Sequence, residues 1–155
     1  MSIIIDGSSA LSAGRDAAVE WLCDYAVDGI LQEGDRLTLW LASDPAQKLF
    51  SGVLSGTDSK ETVKSLFRSL NPQGSAADYA TALKEAAKNE AAAEGMSCTF
   101  IISGSRAGYN SFPRDKKEAA MLRYSRVLDF SGWRVFVVSQ KMGDKVRRAA
   151  AAFVD

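Results

Sequence analysis

Apolar and polar positions along this chain fall into blocks whose periodicity switches between strand and helix. "SIIID" is a short continuous apolar run closed by an acid, and it reads as a buried strand. From Ser12 to about Leu31 the apolar residues recur at helical spacing, with Ala18, Leu22, Tyr25 and Gly29 along one side. Gly34 stops that block. "DRLTLWLAS" follows as a strand apolar on both faces, as a central strand covered by helices should be. "SDPAQ" predicts a turn with Pro45 at position i+1, and "KLFSGVL" predicts a weaker strand interrupted by Gly52. A connection this short cannot carry a parallel crossover, so the two strands are expected to form an antiparallel hairpin.

Ser59 is placed to cap a helix whose Val63, Leu66, Phe67 and Leu70 follow the i, i+3, i+4, i+7 pattern, and Asn71 with Pro72 ends it. An alanine-rich helix is expected from about Asp78 to Glu94, closed by Gly95. "SCTFIIS" is a further apolar strand, followed by the loop "GSRAGYNSFP". A helix from about Arg114 to Phe130, the strand "WRVFVVS" and a last helix lined by Val146, Ala149, Ala150 and Phe153 complete the chain. The order β-α-β-β-α-α-β-α-β-α predicts an α/β fold. Its doubly wound, mostly parallel sheet has about five strands, one antiparallel edge strand and helices on both faces. Right-handed crossovers put the parallel strand ends on one edge, where such sheets bind ligands. The loops after Asp6, after Ser43 or near Gly74, and after Ser103 meet there.

Composition narrows the functional classes. With 155 residues, 46% of them apolar, the chain fits a single domain over 1–155 with a sizeable core. Nineteen Lys and Arg balance nineteen Asp and Glu, so no global field recruits nucleic acid or an anionic membrane. No run approaches the roughly 18 apolar residues of a membrane span, and the chain as given is expected to be soluble. Its compartment is left open, because a leader or anchor trimmed from a longer natural chain would leave the same first strand. Cys23 and Cys98 are both in apolar surroundings and read as free buried thiols, with no zinc spacing. Histidine is absent, which removes the usual triads and the commonest zinc ligand.

Three stretches together resemble the von Willebrand factor A domains, also met as integrin inserted domains. "IIIDGSSAL" resembles the family's first strand with its Asp-x-Ser-x-Ser signature. The stretch from "LQEGDRLTLWLAS" to "ATALKEA" resembles the part carrying the hairpin and the Gly-x-Thr-Asp segment, and "CTFIISGS" the strand that usually ends in Thr-Asp-Gly. The resemblance implies a three-layer sandwich and a metal-ion-dependent adhesion site, in which hydroxyls and carboxylates hold magnesium or manganese for a partner's carboxylate. Carried over, Asp6 and Ser8 match the first aspartate and serine. Ala10 stands at the second serine, Ala77 at the threonine, and Ser103 at the second aspartate. One carboxylate with the hydroxyls of Ser8, Ser9 and Ser103 suits octahedral magnesium badly. No cofactor and no metal is therefore expected, and any residual magnesium or manganese would rest weakly on Asp6 and Ser8.

The resemblance thus implies a non-enzymatic adhesion or assembly module that binds another protein, with an impaired or absent metal site. Arg106, with Gly104 and Gly108 beside it, could take a partner's carboxylate directly, and Tyr109 and Phe112 are the aromatic anchor candidates of the same loop. An α/β enzyme acting on a small molecule or phosphate ester at the same edge is the alternative, although "GSRAG" is neither a Walker nor a Rossmann motif. Arg114, Lys116 and Lys117 read as a solvated helix start and not as a nucleic-acid patch. The family commonly continues with another strand and a mobile C-terminal helix, whereas this sequence stops at "AAFVD".

Overall fold

The computed structural model describes residues 1–91, 97–104 and 133–138. Five strands form one sheet: β1 (Ser2–Asp6), β2 (Arg36–Ala42), β3 (Gln47–Val53), β4 (Ser97–Ile102) and β5 (Trp133–Val138). Their order across the sheet is β3-β2-β1-β4-β5. β1 is parallel to both β2 and β4, and β4 to β5, while β3 returns antiparallel along β2 as the hairpin pattern predicts. The chain therefore turns to one side of β1 for β2 and to the other for β4, so the topological switch point falls between β1 and β4.

Three α-helices are described: α1 (Arg15–Trp21), α2 (Thr57–Arg68) and α3 (Tyr79–Ala91). Ile3, Ile5, Leu37, Leu39, Phe100 and Ile102 face one core, which Leu22, Cys23, Ala26 and Val27 close together with Val63, Phe67 and Leu70 of the α2 region. Ile4, Trp40 and Ile101, on the alternate positions of the strands, are buried on the other face. There α3 packs on β1, β2 and β4 with Tyr79, Ala82, Leu83 and Ala86 buried. Burying both faces of β1 explains the unbroken triplet Ile3-Ile4-Ile5, each worth about 1.5–3 kcal/mol in removed apolar surface.

The first helical block departs from its sequence pattern. A 3-10 helix (Ser9–Gly14) precedes α1, and Leu22–Ile30 winds as a π-helix, ended by the Leu31 N–H donating to the Ala26 carbonyl at 2.9 Å. The buried stripe is Leu22, Cys23, Ala26, Val27 and Leu31. Tyr25, expected on the core side, is 63% exposed, and Gly29 is exposed with it. The expected turn between β2 and β3 is present, with a cis Asp44–Pro45 peptide. Two further expectations shift. Gly56, not Ser59, precedes α2, and Ser59 works from inside the first turn, accepting from the Ser55 N–H at 2.9 Å. Cys23 is buried but Cys98 only half-buried. Trp40 is buried and Trp21 packs partly against the core. The helices expected at 114–130 and around 146–153 lie outside the described residues.

Candidate functional site

β1 delivers Asp6 to the carboxyl edge of the sheet at the switch point, and the carboxylate there is fully buried. Its Oδ1 accepts from the Ser8 N–H at 2.8 Å and from the Ser8 hydroxyl at 2.6 Å. Its Oδ2 accepts from the Gly104 N–H at 3.0 Å, beyond the end of β4. A carboxylate offers about four acceptor positions, so three protein donors occupy most of them. Ser8 also caps the 3-10 helix, its hydroxyl oxygen accepting from the Ala10 N–H at 3.3 Å. Asp6 thus joins the strand end, the first loop and the loop after β4.

The second loop reaches the first through backbone. The Ser9 N–H donates to the Gly74 carbonyl at 2.7 Å, and the Gly74 N–H donates to the Gly7 carbonyl at 3.0 Å. These contacts leave no room for side chains at two positions. A Cβ on Gly7 would come within 2.9 Å of the Ser43 nitrogen, and one on Gly104 would fall on the backbone of Ala10 and Leu11. Asp78 caps α3, accepting from the Thr81 N–H at 3.0 Å, while its own N–H donates to the Ser43 carbonyl at 3.4 Å. Ser103 is 5% exposed, and its hydroxyl lies 3.5 Å from the Tyr79 hydroxyl of α3.

Of the residues singled out in the sequence, Asp6, Ser8 and Ser103 come to one edge and are buried, and Ser9 stands exposed on the rim. Arg106, Tyr109 and Phe112 lie outside the described residues. Ala77 is buried beside Asp78, and Ala10 is half-buried on the first loop. Two participants were not legible: the Gly104 N–H as an Asp6 donor, and Tyr79 as the neighbour of Ser103. Backbone donors leave no residue-type signal, and Tyr79 reads only as an apolar position in a helix.

A central parallel strand ending in a buried aspartate, an antiparallel edge strand and helices on both faces define a von Willebrand factor A-like fold. Solved structures agree. The chain superposes on a von Willebrand factor type A protein from Catenulispora acidiphila with a TM-score of 0.74 at 16% identity, covering 98% of this chain and 36% of that one. On proximal thread matrix protein 1 of the mussel byssus, in a form with a zinc-occupied adhesion motif, the TM-score is 0.61 at 18% identity, with 96% and 40% covered. On the pilus adhesin SpaC of Lactobacillus rhamnosus GG it is 0.59 at 13% identity, with 96% and 26% covered. The chain therefore spans between about a quarter and two-fifths of the length of these structures. No family model and no curated protein matches the sequence.

Proposed function

We propose that this chain is a non-enzymatic protein-interaction module that engages its partner at the carboxyl edge of the sheet, with a metal site that is impaired. The observation that carries this reading is the state of Asp6. Its two oxygens serve three protein donors, and the neighbouring positions that the family fills with oxygen ligands hold Ala10, Ala77 and Ser103. Magnesium needs near-octahedral oxygen coordination and dehydrates reluctantly, so a single anionic side chain already bound by amides fits it poorly. The mussel protein, a neighbour of the same fold, has a form with a zinc-occupied adhesion motif, which is why zinc belongs among the metals to be tested. The adhesin and matrix proteins among the structural neighbours favour binding over catalysis.

The test is titration of the purified chain with magnesium, manganese and zinc, followed by calorimetry and thermal denaturation. The wild type should give neither heat nor thermal stabilisation at millimolar metal. The triple variant Ala10→Ser, Ala77→Thr, Ser103→Asp should gain both, since a ligand at a hundred times its Kd stabilises by about 2.7 kcal/mol. Stabilisation of the wild type that is lost in Asp6→Asn would overturn the impaired-site reading.

A further inference from the structure

The outward side of the first helical block carries two neighbouring ridges at i, i+4 spacing. One is aromatic: Trp21 and Tyr25 stack with ring centroids 6.3 Å apart at an interplanar angle of 22°. Trp21 is anchored from below by Phe100, at 5.6 Å between centroids, so the exposed Tyr25 ring stands on a fixed base. The π-helical winding extends this ridge, because i and i+5 positions adjoin there, and Ile30 is 44% exposed. The other ridge is acidic: Glu20, Asp24 and Asp28. Lys64 neutralises Asp28 at 2.6 Å, whereas Glu20 and Asp24 have no ion-pair partner among the described residues. Over residues 15–35 the acids Asp16, Glu20, Asp24, Asp28, Glu33 and Asp35 face a single base, Arg15, and its guanidinium is held by Asp16 and by the Leu70 and Arg68 carbonyls. A chain with no net charge therefore concentrates negative charge beside the most exposed aromatic ring among the described residues.

We propose that this helix face, with Tyr25 as anchor and Glu20 and Asp24 beside it, docks a lysine- or arginine-bearing segment of a partner protein. Charge complementarity selects the occupant: a guanidinium can lie over the Tyr25 ring while neighbouring cations meet the two carboxylates, a combination that a neutral or acidic segment cannot satisfy. The face runs down the sheet, away from the edge that carries Asp6, and so constitutes a second surface independent of the adhesion-type site.

The probe is an arginine octamer, with a glutamate octamer as control, added to the isotope-labelled chain and followed by backbone amide chemical shifts. Shifts should concentrate on residues 20–30, weaken about tenfold between low and 0.5 M salt, and be absent with the control. Tyr25→Ala should weaken binding about fivefold and Glu20→Gln with Asp24→Asn further. All three residues are exposed, so the variants keep the fold. Absence of binding would overturn the proposal, as would shifts spread over acidic residues elsewhere or affinity indifferent to Tyr25→Ala. Self-association in sedimentation without peptide, abolished by Tyr25→Ala, would also overturn it by assigning the face to a second copy of the chain.

Discussion

Asp6 is a ligand candidate in the sequence and a fastener in the structure. Removing its side chain strands the buried Ser8 amide and the Gly104 amide, and a stranded buried donor costs about 1–3 kcal/mol each. The fit around its partner is equally tight. Gly104→Ala drives a methyl group into the Ala10–Leu11 backbone and should destabilise by about 1–3 kcal/mol, as overpacking does. Thermal denaturation should then show a midpoint lower by several degrees, and an unchanged midpoint would mean that the two loops separate at no cost. The polar end of β1 was legible because Asp6 and Ser8 are neighbours in sequence. Their third partner was not, because an amide roughly a hundred residues away carries no sequence mark.

At the scale of elements, strands were easier to read than the long helical block. Leu37 to Ala42 show their two-sided burial directly as an apolar run. In Ser12–Leu31 the assumption of α periodicity put Tyr25 on the wrong side, since apolar spacing alone does not distinguish α from π winding. A residue from another element helps to hold that winding: Lys60 of α2 donates to the Val27 carbonyl at 2.9 Å and to the Leu31 carbonyl at 2.6 Å. Lys60→Met, which keeps the apolar stem, should cost about 2 kcal/mol of stability by denaturant unfolding. Amides of Leu22–Leu31 should exchange faster in the same variant. If exchange quickened uniformly over the molecule instead, Lys60 would not be a local cap.

For the whole molecule, the alternation of apolar strands with amphipathic helices was sufficient for the layers and the antiparallel hairpin. The order across the sheet was not legible, since each strand's own residues are compatible with several neighbours and the crossover rule fixes handedness without choosing which strands adjoin. Two groups link overall stability to pH. Burial pushes the Cys23 thiol above its ordinary value of 9.0, against the nearby Arg68 and Lys64. The hydrogen bond to Asp28, reinforced by Glu61, raises the Lys64 ammonium above 10.5. Both shifts are upward, so their stabilisation is complete at neutral pH. It begins to fall as pH climbs past 9.0 for the thiol and past 10.5 for the ammonium. Melting temperature followed from pH 7 to 11 should decline over that interval, and Cys23→Ala should flatten the earlier part of the decline.

The central place of β1 also sets a schedule for synthesis. Ile3, Ile4 and Ile5 are synthesised before the strands they pair with, and β2 with its β3 hairpin can join them early, being near in sequence. The other flank of β1 pairs with Phe100, Ile101 and Ile102, roughly a hundred residues later, which at about 5–20 residues per second is a delay of some 5–20 s. Throughout that interval β1 has one open ladder, and the Asp6 carboxylate lacks its Gly104 donor. Half of this carboxyl edge therefore exists only after β4 has been translated, and a holding chaperone would find a clear target in the unpaired side of β1.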